Sequence, residues 1–333
     1  MPVLVAVEMK ILFVWSGLSG YMGDCWRELS RKDGVELKVA VDLGEKHIGG
    51  MFRPDEVMRG LDWHNSLPDD FSPDVVFLVG WHNSLCRSAA FRNWGSGCRK
   101  VICFDMPWEW RVRKFFARFA LWRYLRMFDA AFIPGVASEP YARWLGFRRD
   151  RIFKGMYGTD VKRMGSHIGG RGFLFVGRDA PEKGLDVLRD AHGIYKANGG
   201  VWDLRIVSGV SPDKLGQIYR EADCFILPSL WEPWGVVLAE AAAAGLPIIC
   251  TDKCGARHEV VKGNGIVVPA GDIAALAAAM CKISRVEHVE RVEVCELGVG
   301  DRIDGELGRE LAKPYSCEAW AERVIGIADR LMS

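Results

Sequence analysis

Hydrophobic positions in the first half of the chain fall into short unbroken runs. These are KILFVW (10–15), LKVAVD (37–42), VVFLVG (75–80), KVICF (100–104) and AAFIP (130–134). Runs apolar at nearly every position, not at alternate ones, predict strands covered on both faces. Between them lie helix-like stretches at 22–32, 85–93, 108–127 and 137–145. Buried strands alternating with helices predict a parallel, doubly wound sheet.

The rhythm breaks at KGMYGTDVKRMGSHIGGRG (154–172), which is rich in glycine and basic residues and is expected to be a linker. It then restarts. Strands are predicted at 172–177, 202–209, 224–229, 247–251 and 265–269, with helices at 183–197, 212–221, 235–244 and 272–282. The whole is an α/β protein of two Rossmann-like domains. Domains of roughly 150 residues each suit a chain of 333. The expected boundaries are 1–163, 164–314 and a terminal helix over 315–333 that returns to the first domain. Ser316 is its expected N-cap, and Trp320, Val324, Ile327 and Leu331 its apolar stripe. Ligands of such sheets bind at the carboxyl ends of the strands, so a cleft between two facing domains is the expected site. WHNSL occurs twice, at 63–67 and 81–85, by chance or local duplication.

Composition narrows the classes. A net charge of +1 argues against nucleic acid as partner. Ten cysteines lie scattered with no CxxC pair and no metal-ligand spacing, several inside apolar runs, so buried thiols of a reducing cytoplasm are expected. No segment reaches the ~20 apolar residues of a membrane span. MPVLVAVE lacks a basic n-region and makes a poor signal peptide; residues 1–8 read as an upstream start or an added remnant. Thirteen tryptophans hint at sugar-binding surfaces.

Chemistry concentrates in the second half. GRDAPEKG (177–184) leaves a predicted strand and enters a helix. Arg178 and Lys183 beside a helix N-terminus make either an anion site or a solvated loop. In WEPWGVVLAEAAAAGLP (231–247), Glu232 stands at the mouth of a helix and Glu240 about 1.5 turns inside it. Pro233 suits the turn, and Gly235 lets first-turn N–H groups face a ligand. Read alone, Glu232 simply favours the helix dipole and Glu240 is an exposed residue.

Three motifs in order, GRxxPEKG, FILPSxxEPxGxxxAEAxAxGxP and GxxxEVVxxxxGxxVPxGD, closely resemble glycosyltransferase family 4 over about 172–282. These are retaining, nucleotide-sugar-dependent enzymes of the GT-B fold. The first half is similar more weakly, through MKILFVW and its glycine loop, PDVVFLV, and GTD at 158–160. The resemblance implies that Arg178 and Lys183 neutralise the donor diphosphate and the leaving group. Glu232, with the backbone of Pro233, Trp234, Gly235 and Val236, would hold sugar and diphosphate. Glu240 would take the ribose hydroxyls, and Gly17 or Gly20 would let a first-domain loop approach the diphosphate. No metal or other cofactor is implied, in keeping with the lack of an Asp-x-Asp pair; UDP is expected ahead of GDP as the nucleotide.

The first half departs from the family. Where many members carry a histidine, FDMPWEW (104–110) places Asp105. Asp105 would orient a sugar hydroxyl or accept its proton, or else serve a turn. Trp108 and Trp110 would stack on a sugar or fill the core. His82 and Asn83 are acceptor-side candidates. RVRKFFARFALWRYLR (111–126) reads as a basic amphipathic helix with Phe115, Phe119 and Trp122 on one face. It suits either an anionic membrane surface or sheet packing.

The expected function is transfer of a hexose or derivative to a hydroxyl of a sugar or lipid-linked glycan, with retention. Polyprenyl-diphosphate-linked acceptors and surface polysaccharide synthesis fit, in the cytoplasm or at the inner face of its membrane. The alternatives are a sugar-nucleotide epimerase or hydrolase of the same fold and a non-catalytic sugar-nucleotide-binding subunit.

Overall fold

The computed structural model describes residues 9–43, 53–109, 112–170, 172–286 and 304–333. Residues 1–8, Trp110 and Cys295 lie outside the described residues. The chain forms two compact units, Met1–Thr159 with Tyr315–Ser333 (unit 1) and Asp160–Pro314 (unit 2).

Unit 1 holds a seven-stranded sheet: β1 (Met9–Ser16), β2 (Val35–Asp42), β3 (Trp63–His64), β4 (Val75–Val79), β5 (Arg99–Cys103), β6 (Ala130–Ile133) and β7 (Ile152–Lys154). Their order is β3-β2-β1-β4-β5-β6-β7, with every neighbouring pair parallel. The alternation of side chains about a strand divides the runs between two cores. Ile11, Phe13, Trp15, Val75 and Phe77 enter one; Leu12, Val14, Val76 and Leu78 enter the other. Phe13 stacks on Phe77 with centroids 4.7 Å apart, through the register that pairs them across β1 and β4.

Helix Cys317–Met332 packs in the first of these cores. Ser316 Oγ accepts from Ala319 N at 3.1 Å, and Trp320, Val324, Ile327 and Leu331 are buried along one stripe. Trp320 Nε1 donates to Met156 O at 2.7 Å, so burial leaves this polar atom satisfied.

Unit 2 holds five parallel strands, β8 (Phe173–Val176), β9 (Leu204–Val207), β10 (Cys224–Leu227), β11 (Ile248–Thr251) and β12 (Gly265–Val268), in the order β12-β11-β10-β8-β9. In both sheets the strand order reverses beside the first strand: between β1 and β4, and between β8 and β10. Loops leaving the carboxyl ends part there and leave room for a ligand.

The stretch expected as a linker is built into both units. A Cβ at Gly158 would stand 2.7 Å from Cys25 Sγ and 3.0 Å from Trp320 Cβ. One at Gly170 would stand 2.0 Å from Glu221 O, and Gly170 N and Gly172 N donate to the two oxygens of Asp223 at 2.9 and 2.6 Å. These glycines serve close packing, so glycine content misrepresents the segment as loose. The two WHNSL copies adopt different structures: the first contains β3, the second a turn and the start of helix Ser84–Phe91.

Among the described residues the cysteines are free and mostly buried. Burial pushes the Cys86 and Cys98 thiols up to about 12, so both stay protonated. No described helix is long and apolar enough to cross a membrane.

Candidate functional site

Three loops leave the carboxyl ends of β8, β10 and β11, which are neighbours in the unit 2 sheet. After β8, Pro181–Lys183 form one tight turn, ended by Gly184 in the left-handed conformation at φ 66°. A Cβ there would stand 2.4 Å from Pro228 O, so the turn lies directly on the β10 loop. Glu182 O accepts from Leu230 N at 2.9 Å and from Trp231 N at 3.3 Å. The β10 loop is held from the other side by the β11 loop. Glu232 N donates to Lys253 O, Gly255 N to Glu232 O and Ala256 N to Trp234 O, at 3.2, 3.0 and 2.8 Å. A Cβ on Gly255 would come within 2.0 Å of Pro233 O. The three sequence motifs are thus one backbone-stitched assembly.

At its centre Lys183 Nζ donates to Glu232 Oε2 in an ion pair whose side chains are largely buried. A desolvated charge needs a partner, and each supplies the other's. Helix Val236–Ala244 begins just beyond, on Gly235 at φ 93° and with no side-chain cap. Gly235 has no side chain to cap the first turn, where Leu238 N donates to Gly235 O at 3.0 Å. Pro233 and Val236 are half-buried and Trp234 is buried. Arg178 sits at the rim, half-exposed, paired with Glu182 at 3.3 Å.

Glu240 is 7% exposed. The buried Tyr219 hydroxyl donates to its Oε2 at 2.7 Å. Burial, and then the Glu240 charge, hold the Tyr219 phenol well above its ordinary range, so the hydroxyl keeps its proton and remains a donor. Tyr219 was not among the residues expected to matter. A tyrosine within a helix reads as core, and no spacing rule links it to a glutamate on the next helix.

Unit 1 places a second group at its own switch point. A cavity of ≈ 320 Å³ is lined by loops after β1, β4 and β5, among them Gly17, Tyr21, His82 and Asp105, and by Tyr157. Tyr157 OH donates to Asp105 Oδ2 at 3.1 Å, and Tyr21 packs edge-on against the Tyr157 ring. Burial and the Asp105 charge push the Tyr157 phenol well up, and it too stays protonated. Gly17 has φ 79°, and Gly20 opens helix Gly20–Leu29 beside the lining residues Ser19 and Tyr21.

Other candidates lie elsewhere. Asn83 caps helix Ser84–Phe91, accepting from Cys86 N at 3.0 Å, and its Nδ2 donates to Asp42 Oδ2 at 2.6 Å. Trp108 packs against Tyr141 and Trp144, with centroids 5.9 and 5.4 Å away. The basic stretch forms two helices, Val112–Ala120 and Trp122–Leu125. The aromatic face expected there forms in part: the Phe115 and Phe119 rings touch, with centroids 6.4 Å apart, but the face is not wholly outward. Phe115 turns inward onto Trp144 at 4.9 Å, while Phe116, Phe119 and Trp122 are exposed. Lys114 is drawn in as well, donating to Pro107 O at 2.9 Å and Glu109 Oε2 at 3.1 Å.

Residues 203–293 match the profile of the family described as "Glycosyl transferases group 1". Over 141 residues the chain is 34% identical to the phosphatidyl-myo-inositol mannosyltransferase of Mycobacterium leprae, covering 35% of this chain and 38% of that one. Over 77 residues it is 38% identical to a Mycobacterium tuberculosis glycogen synthase, covering 23% and 19%. It thus spans less than half the length of these curated relatives. Among solved structures, a glycosyltransferase from Rickettsia africae superposes with a TM-score of 0.72 at 14% identity, over 98% of this chain and 99% of that one. Anabaena HepE in complex with UDP gives 0.69 at 13%, over 97% and 100%. The fold is the two-domain, Rossmann-like GT-B fold of these proteins.

Proposed function

We propose that the protein is a retaining glycosyltransferase that moves a hexose or hexose derivative from a nucleoside diphosphate sugar to a hydroxyl of a glycan or lipid-linked glycan. The observation that carries this is the Lys183–Glu232 pair at the uncapped start of helix Val236–Ala244. It lies within an assembly whose later part matches a glycosyl transferase family profile. An ammonium has three donors, so Lys183 can hold Glu232 and a phosphate oxygen together. The helix N-terminus adds backbone donors for the same diphosphate. Arg178 at the rim adds a second positive charge. Charge developing on the leaving phosphate then meets fixed, preorganised donors, usually the largest contribution to such catalysis.

The step breaks the bond between the sugar's anomeric carbon and the phosphate oxygen and forms one from that carbon to the acceptor oxygen on the same face. The acceptor proton passes to the departing phosphate. Glu232 positions the sugar and needs no covalent role. The reading calls for no metal. Asp105, with Tyr157 on one of its oxygens, serves the acceptor hydroxyl in unit 1. The UDP bound by Anabaena HepE supports a nucleotide sugar as donor, UDP being tried first, and the mannosyl transfer named for the Mycobacterium leprae relative supports a hexose as the group moved.

A peripheral role at an anionic membrane fits the exposed Phe116, Phe119 and Trp122, set among the exposed Arg118, Arg123 and Arg126. The test of the whole reading is product formation from a panel of UDP-, GDP- and ADP-sugars with membrane-derived acceptors. The wild type transfers sugar and Glu232→Ala does not; equal turnover by the folded variant would remove the assignment.

A further inference from the structure

The ribose end of the proposed donor site has a feature that the glutamate alone does not explain. Glu240 sits in the middle of an alanine helix whose neighbouring residues Leu238, Ala239 and Ala241 to Ala244 are all buried. A carboxylate there has lost most of its water and needs donors in return. Tyr219 supplies one from helix Pro212–Arg220, at 2.7 Å, from a ring with no exposure at all. The ring itself is fixed, packing on Phe225 of β10 with centroids 5.6 Å apart. A rigid donor on Oε2 sets the plane of the carboxylate. A ribose 2′,3′-diol presents two hydroxyls at a fixed separation, so it binds more tightly to a carboxylate whose plane is already set.

We propose that Tyr219 is a positioning residue for nucleoside recognition: its hydroxyl fixes the Glu240 carboxylate for a ribose diol, and so makes the site prefer ribonucleotides over nucleotides lacking those hydroxyls. This rests on the donor reading given above. Tyr219 touches no substrate; it acts through Glu240. Tyr219→Phe keeps the ring and its packing and removes only the donor.

The test measures affinity by calorimetry for whichever of UDP, GDP or ADP raises the melting temperature of the wild type most, and for its 2′,3′-dideoxy analogue. The protein is the full chain, as wild type, Tyr219→Phe and Glu240→Gln. Hydrogen bonds to a charged group imply a wild-type preference for the ribonucleotide of roughly tenfold or more. In Tyr219→Phe the ratio should fall toward one, through weaker ribonucleotide binding at unchanged dideoxy binding. A purely structural tyrosine would weaken both alike and leave the ratio where it was, and that result overturns the proposal. If Glu240→Gln keeps the full ratio, or the wild type shows no preference, the donor reading of Glu240 fails and takes the proposal with it. A 3-fluorotyrosine at position 219 keeps the hydroxyl and covers poor folding of the phenylalanine variant. Its fluorine resonance should move on adding the ribonucleotide and not on adding the dideoxy analogue; equal movement with both overturns the proposal.

Discussion

The two units set their candidate residues at the same place in the same kind of sheet, yet build them differently. In unit 2 the loops after β8, β10 and β11 are joined by backbone hydrogen bonds, with the Lys183–Glu232 pair at the centre. In unit 1 the loops after β1, β4 and β5 surround a cavity to which Trp15, Tyr21, Trp81, Phe104 and Tyr157 give aromatic walls, with Asp105 held by Tyr157. The backbone-stitched site tolerates few residue types: glycine where an added Cβ would stand 2.0 Å from a carbonyl oxygen, proline and glutamate at the mouth of a helix. The cavity tolerates many, because aromatic residues of several kinds can wall it. One site is specified by spacing, the other by shape.

The largest effect separates these two. Lys183→Ala removes the cation facing the proposed leaving group and should lower kcat for sugar transfer by about 10²–10³-fold or more, read as product from a saturating donor. Asp105→Asn should lower transfer by about 10²-fold while leaving donor binding unchanged, read by pairing kinetics with calorimetry. Loss of donor affinity in Asp105→Asn would erase the division of labour.

Next comes the stitching itself. Gly255→Ala places a methyl against Pro233 O, so the β10 and β11 loops must part. A cost of about 1–3 kcal/mol is expected, seen as a lower Tm together with weaker donor binding. An unchanged Tm would mean that the loops are not rigidly joined. The smallest effect lies at the surface of unit 1. Trp122→Ser with Phe119→Ser should reduce sedimentation with phosphatidylglycerol vesicles several-fold and leave Tm unchanged, since both side chains are more than half exposed.

Much of this was legible in the sequence. All five apolar runs of the first half became strands, because a fully buried parallel strand is apolar throughout. Ser316 and its stripe of four apolar residues became a capped, buried helix. The short edge strand β7 escaped notice, since three residues carry no period. The Gly-rich stretch 154–172 misled, because glycine marks close approach as readily as looseness. At the candidate site, Glu232 and Lys183 were visible through motif order, and their ion pair was not. Tyr219 and Tyr157 were invisible, since each acts through a contact between segments 21 and 52 residues apart.

The central claim is that the Lys183–Glu232 assembly of unit 2, and not Asp105 of unit 1, carries donor recognition. Calorimetric titration of the preferred nucleotide sugar into the wild type, Lys183→Ala and Asp105→Asn tests it most directly. The account predicts wild-type affinity in Asp105→Asn and roughly tenfold or greater weakening in Lys183→Ala, the value of a lost charge-assisted contact. Undiminished binding by Lys183→Ala, or a matching loss in Asp105→Asn, would contradict it.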